Sequence, residues 1–273
     1  MDTNMKPPIL STYEHQVGGR SQFVNFSPGH LMKLKAEEDE AKCVLQQIKE
    51  LNTITPHYCL VKINGEVLHL KGGCGQCREM AEEGTRIVPN NECAIVMEDL
   101  TVGMAKPVSM DLKLGTRQHG DKCSPEKAER AIAKNKISTT GKYGVRLGGC
   151  KADNIDVSRR GGRDLTFAQM ANNIRLFFGS KETKARAVQL LRDVKAVLEK
   201  IDGLRLFGAS LLFVMDAGGR GKAEDTIKLK LIDFAKASHP SLAPEIIHSG
   251  VDAGAITGIN TVIGILEAEN DFS

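Results

Sequence analysis

A carboxylate and an ammonium stand two residues apart in Met110-Asp111-Leu112-Lys113-Leu114. Along an extended chain, side chains alternate faces. Asp111 and Lys113 then share one face, and Met110, Leu112 and Leu114 share the other. Such a strand is anchored by its apolar back and presents an acid and a base to a cleft. An ordinary amphipathic edge strand has the same alternation, so the flanking residues carry weight. Pro107 precedes the pair, Gly115 ends the strand, and Thr116-Arg117-Gln118-His119-Gly120 follows at once. A second acid, Asp233, closes the apolar stretch Leu231-Ile232 and opens Phe234-Ala235-Lys236.

The net charge of +3 over 273 residues is unevenly spread. From Arg117 to Arg163 there are twelve Lys and Arg against five acids, a surplus of +7, which leaves −4 for the remainder. One stretch is built to meet a polyanion. Nothing in it matches a zinc finger or an RNA-recognition signature. With no Trp and three Tyr, aromatic stacking of single-stranded bases is disfavoured, so nucleic acid is not the expected partner. No apolar run reaches the length of a membrane span, and no long basic amphipathic helix points to a membrane surface. The first residues lack the basic-then-apolar order of a signal peptide. Seven scattered Cys suit reduced thiols in the cytoplasm or nucleus. A small, densely phosphorylated ligand remains as the expected polyanion.

Cys74-Gly75-Gln76-Cys77 has the spacing of a metal or redox pair. No second Cys pair lies at zinc-ribbon spacing, and the Gly-rich context is not that of a redox helix. The expectation is a tight turn with two exposed thiols.

Periodicity assigns two lobes. Residues 1–100 are expected to be mostly β with one helix: strands over 22–26 and 30–35, a helix over 37–51, a hairpin over 58–63 and 66–70 around Asn64-Gly65, and a buried strand over 92–97. Residues 101–273 are expected to be mixed. The signature strand is followed by a helix from Pro125 to about Asn135, capped by Ser124. On it Lys127, Arg130 and Lys134 share one face. A strand over 143–147 with a Gly148-Gly149 turn, helices over 166–178 and 182–201, a strand pair over 206–215 and 226–232, and a helix over 252–267 complete the reading.

Pro107-x-x-x-Asp111-x-Lys113-x-Gly115 resembles the signature of the inositol polyphosphate kinases, and the Thr-Arg-Gln-His-Gly continuation is most similar to the inositol hexakisphosphate kinase branch. Ser210-Leu211-Leu212 and Ile232-Asp233-Phe234 resemble two further motifs of that family, and His15-Gln16-Val17-Gly18-Gly19 resembles the same branch. The resemblance implies an α+β, two-lobed, protein-kinase-like or ATP-grasp-like inositol phosphate kinase fold of antiparallel sheets with flanking helices. The 1–100 lobe would bind ATP, the 101–273 lobe would be catalytic, and the segment 117–140 would receive inositol phosphate.

The resemblance also implies roles. The backbone at Glu98 and Leu100, in Met97-Glu98-Asp99-Leu100, would hold adenine. Lys33 or Lys35 would bind the ATP phosphates. On a regular strand both point to one side, so alternation does not separate them; the family pattern fits His30-Leu31-Met32-Lys33 best, and the acidic helix partner stays open among Glu37, Glu38, Asp39 and Glu40. Asp111 would bind the ribose, and Asp233 the Mg2+ that bridges the phosphates. Lys113 would span the transferring phosphate and the substrate. Arg117, His119, Lys127, Arg130, Lys134, Arg159, Arg160 and Arg163 would supply the substrate pocket. Ser210 would be structural.

The expected reaction is ATP-dependent phosphorylation of inositol hexakisphosphate to a diphosphoinositol, by a monomer. A multikinase acting on hydroxyls of lower inositol phosphates, and a non-catalytic inositol phosphate receptor, are the alternatives.

Overall fold

In a computed structural model that describes residues 11–16, 21–46, 48–153, 155–158, 160–218 and 222–268, two five-stranded antiparallel sheets organise the chain. β1 (Gln22–Ser27) and β2 (His30–Ala36) form a hairpin, and α1 (Glu38–Gln46) follows. β3 (Tyr58–Ile63) and β4 (Glu66–His69) turn on Asn64 and Gly65, both at positive φ, as a tight two-residue hairpin loop requires. Two short helices, α2 (Gly75–Glu79) and α3 (Ala81–Gly84), lead into β5 (Cys93–Glu98). The sheet order is β1-β2-β5-β3-β4, so the apolar Cys93–Glu98 strand lies at its centre.

The helix expected over 37–51 stops at Gln46, and Lys49–Thr53 continues as a 3-10 turn after Ile48 adopts an extended conformation. The break serves two cores. Ala41 and Val44 pack under the first sheet. Ile48, Leu51 and Ile54 are turned into the core of the second.

That second sheet begins at β6 (Pro107–Leu114). Then come α4 (Pro125–Lys136), α5 (Thr139–Tyr143), β7 (Val145–Ala152), β8 (Ile155–Val157) and α6 (Gly161–Asp164). The long helices α7 (Phe167–Phe178) and α8 (Lys181–Leu198) precede β9 (Arg205–Leu206), β10 (Ser210–Asp216), α9 (Ala223–Thr226), β11 (Lys228–Ile232), β12 (Ala237–Ser238) and α10 (Ala253–Glu267). The order is β11-β10-β6-β7-β8, with β9 and β12 a separate pair. α10 packs on α7 and α8, and one apolar core fills the space between these helices and the sheet. Met110, Leu112 and Leu114 are fully buried in it, as the alternation along β6 requires.

One expected turn is a strand. Gly148 and Gly149 lie inside β7, where the register with β6 slips between Asp111 and Leu112. A Cβ at Gly148 would stand 2.6 Å from Asp111 Oδ1, so the absence of a side chain there makes room for the buried carboxylate.

Candidate active site

The front face of β6 carries Ser109, Asp111 and Lys113 in line. Ser109 borders a small apolar slot of about 100 Å³ between the two sheets, also lined by Leu31, Tyr58, Met97, Leu212 and Ile232. Glu98 and Leu100 line it at the end of β5, and Tyr13 lines it from the N-terminal segment. The Glu98 backbone N–H donates to the His57 carbonyl and the His57 N–H to the Glu98 carboxylate, each at 2.9 Å, which pins the β5 end to the residue before β3. The Tyr13 hydroxyl donates to Asp99 Oδ1 at 3.2 Å and holds that segment over the slot.

Lys113 borders a second, open basin of about 560 Å³. Lys127, Arg130 and Lys134 of α4 line it, with Arg146 and Arg163. Arg146 faces Lys113 directly across the β6–β7 ladder. Slot and basin share three residues, Lys33, Glu40 and Asp233.

These three form a charged junction with Lys113. Lys33 Nζ donates to Glu40 Oε1 at 2.6 Å and to Asp233 Oδ1 at 3.4 Å. Lys113 Nζ donates to the other carboxylate oxygen of Asp233 and lies 3.9 Å from Asp111 Oδ2. Burial alone would raise the Asp233 carboxyl, but the Lys113 and Lys33 ammoniums outweigh it and bring the group down to about 2. Burial works against the charge on Lys33, yet Glu40 and Asp233 hold its ammonium above the ordinary value. Glu40 and Asp111 go the other way, raised chiefly by burial and only partly relieved by Lys33 and Lys113 respectively.

Asp233 adopts φ +67, a left-handed conformation uncommon for a side-chain-bearing residue, and keeps 29% of its side chain exposed to the cleft. It is therefore an ionised carboxylate held out to solvent between two cations. Asp111 and Ser210 are buried side by side, and the Ser210 hydroxyl helps to offset the burial of the Asp111 carboxylate. The part-exposed carboxylate of Asp233 is the oxygen donor here that suits a hard divalent cation such as Mg2+ or Mn2+, which would share it with Lys33 and Lys113.

The structure separates residues that the sequence left together. Lys33 is buried in the junction, whereas Lys35 stands at φ +51 where the β2–β5 register slips, with a 72% exposed side chain 3.7 Å from Glu92. The bulge breaks the alternation that put both lysines on one side. Glu40 is the acidic partner among the four candidates.

Five of the expected substrate residues line the basin: Lys113, Lys127, Arg130, Lys134 and Arg163. Arg117 does not. Its guanidinium bonds Asp121 at 2.9 Å and stacks 4.1 Å over Phe207, a brace against the β9–β10 loop. His119 lines the adjoining opening of about 640 Å³, with its ring held below the usual histidine value by burial and by Arg117. Arg160 is exposed and not among the lining residues, and Arg159 lies outside the described residues, as do Val17 to Arg20.

Sequence reasoning missed Tyr13, Arg146 and Lys236. Only strand register brings Arg146 to Lys113. Lys236 follows Asp233 closely, and its ammonium donates to the Gln118 carbonyl at 3.2 Å; its basic character was the available signal.

The geometry thus joins an apolar slot and a cationic basin at one carboxylate–lysine junction. The model of the inositol polyphosphate kinase family matches residues 94–267, and the chain belongs to that family. It is 28% identical over 214 residues to inositol hexakisphosphate kinase 2 of Homo sapiens, covering 63% of this chain and 50% of that one. It is 33% identical over 162 residues to inositol hexakisphosphate kinase 1 of Saccharomyces cerevisiae, covering 52% of this chain and 15% of that one. The chain thus spans half or less of the length of these curated relatives. The solved inositol phosphate multikinase Ipk2 of S. cerevisiae, in complex with ADP and Mn2+, shares the fold with a TM-score of 0.62 at 19% identity, over 86% of this chain and 97% of that one.

Proposed function

We propose that this chain transfers the terminal phosphoryl group of ATP to inositol phosphates, with inositol hexakisphosphate as the leading substrate and a diphosphoinositol as product. The observation that carries the reading is the meeting of slot and basin at one junction, Lys33, Glu40 and Asp233, with Lys113 at its edge. Phosphoryl transfer needs mainly positioning and neutralisation of charge, and this arrangement supplies both.

The adenine would occupy the slot against the backbone of Glu98 and Leu100. By the family resemblance Asp111 would bind the ribose, although its carboxylate is buried beside Lys113 and lines neither slot nor basin. Lys33, held by Glu40, would bind ATP phosphates. Asp233 would hold Mg2+, which when bound neutralises charge on the phosphates. Lys113, which lines the basin and pairs with Asp233, would touch both the transferring group and the acceptor, as a compact cation can. Lys127, Arg130, Lys134, Arg146 and Arg163 would hold the remaining phosphates by charge-assisted bonds. An acceptor phosphate oxygen attacks the terminal phosphorus, and the bond to ADP breaks. That oxygen is already anionic at neutral pH, so no general base is required.

The multikinase reading is the alternative, since the fold shared with Ipk2 is common to both readings and does not choose the acceptor. It requires proton removal from a hydroxyl and hence a pH-dependent rate. Turnover with Mg-ATP and inositol hexakisphosphate, beside tris- and tetrakisphosphates, separates the readings. A seven-phosphate product is expected. Turnover of the lower inositol phosphates alone would replace it with the multikinase, and binding without turnover of any would replace both with a receptor.

A further inference from the structure

The Cys74–Cys77 turn is not the pair of exposed thiols its spacing suggested. Cys74 caps the N-terminus of α2, Cys77 is buried in the first turn of that helix, and two further donors reach them from the sheet. His30 comes from the start of β2 and Cys59 from β3. The ligating atoms of His30, Cys59, Cys74 and Cys77 all lie within 4.8 Å of one another.

The details fit a metal better than they fit free thiols. With Zn–S at about 2.3 Å and Zn–N at about 2.0 Å, the edges of a ligand tetrahedron measure about 3.5–3.8 Å. Cys74 Sγ stands 3.5 Å from His30 Nε2. The other ring nitrogen of His30 lies 3.1 Å from Ser27 Oγ and 3.2 Å from the Pro28 carbonyl. A proton on Nδ1 donated to that carbonyl leaves the Nε2 lone pair free on the side of Cys74 Sγ, the arrangement that orients a metal-bound histidine. The Cys77 N–H donates to Cys74 Sγ at 3.2 Å, a bond suited to a thiolate. Gly73 lets the loop close on β3, since a Cβ there would meet the Cys59 carbonyl at 2.6 Å. Three sulfurs and one nitrogen are the donors of a Cys3His zinc site, and four protein donors leave no open position for substrate.

We propose that His30, Cys59, Cys74 and Cys77 form a closed, structural zinc site that fastens α2 to the first sheet behind the slot. The site touches the frame of the slot through the backbone. His30 pairs with Glu98 across the β2–β5 ladder, the Asp99 N–H donates to the Gly29 carbonyl at 2.8 Å, and Glu98 exchanges bonds with His57, two residues before Cys59. The first sheet carries a small core, and metal binding there contributes directly to folding. The inference does not depend on which substrate the chain phosphorylates.

The test is elemental analysis of the full chain, purified without added metal, chelator or a metal-binding tag, followed by exchange of cobalt(II) for the native ion. About one zinc per chain is expected, as for a closed site. The cobalt form should show tetrahedral d–d bands with thiolate charge-transfer absorption, and chelation should lower the melting temperature. Cys74→Ser, at the most exposed of the three cysteine ligands, should fold, lose charge-transfer intensity and bind zinc at least about tenfold more weakly. His30→Ala should retain the thiolate bands but alter the d–d pattern. A folded wild-type protein with no zinc and no thiolate–cobalt spectrum, or one whose cobalt spectrum is unchanged in Cys74→Ser, would overturn the site. So would a disulfide among Cys59, Cys74 and Cys77 in the protein as isolated.

Discussion

The slot and the basin meet at the same charged junction but are built in opposite ways. The slot lies between two sheets, and its walls are core residues: Leu31 and Tyr58 are buried, and Glu98 is pinned from both directions by His57. The basin wall is α4, a twelve-residue helix with no buried residue, whose Lys127, Arg130 and Lys134 project from a solvated element. Packing shapes the first, and charge density shapes the second. A site made by packing is sensitive to single atoms, whereas a site made by many exposed cations loses affinity in small steps.

The sharpest break in that contrast lies at the junction. Asp233→Asn should reduce turnover by at least about 10³-fold, the several kcal/mol that a bound metal supplies, while inositol phosphate binding measured by calorimetry persists. Near-normal turnover would remove Asp233 from the metal role. The same substitution has a signature in acid. The folded value of Asp233, about 2, lies below its unfolded value. Its stabilising contribution is therefore complete above the unfolded carboxylate value of about 3.9 and is lost as pH falls through the folded value. Acid unfolding curves of the wild type and the Asn variant should converge toward the low end of that window. A constant offset down to the lowest pH would show that ionisation is not the cause.

On the slot side, Lys33→Met leaves Glu40 buried without its cation. A loss of stability of about 3 kcal/mol in denaturant titration and of about 10²-fold in kcat/KM for ATP is expected. A change confined to the inositol phosphate KM would place Lys33 in the basin instead. On the basin side, Lys127→Ala with Lys134→Ala should raise the inositol phosphate KM about tenfold and leave the ATP KM in place, in keeping with about 1 kcal/mol or less for each exposed cation. An unchanged KM would take α4 out of the pocket. The smallest effect belongs to Lys35→Ala, which should shift stability by no more than about 0.5 kcal/mol. A large loss of ATP affinity there would mean that the bulge at Lys35 is not maintained.

Several elements were legible in the residues because their causes are local. The Asn64-Gly65 hairpin, the Pro at the start of α4 and the alternation along β6 follow from turn chemistry and period, and each is found. The double glycine of β7 was misread as a turn because its role is non-local: Gly148 lies in a bulge beside Asp111 on another strand. The helix over 37–51 broke for a similar reason, since its later apolar residues serve a different core. Arg117 was counted with the basin by its place in the basic stretch, but Asp121 and Phe207 hold it elsewhere.

By itself the sequence determined the chemistry available: an acid and a base on one face of β6, an acid at the end of β11, a basic stretch of +7 and a Cys-x-x-Cys turn. The tertiary structure alone decided which of these meet. It turned Lys35 away from Lys33 through a bulge, chose Glu40 from four acids, brought Lys113 to Asp233, and gathered His30 and Cys59 beside Cys74 and Cys77. Period and propensity act over a few residues, whereas register and packing between strands far apart in the chain determine which side chains share a cavity.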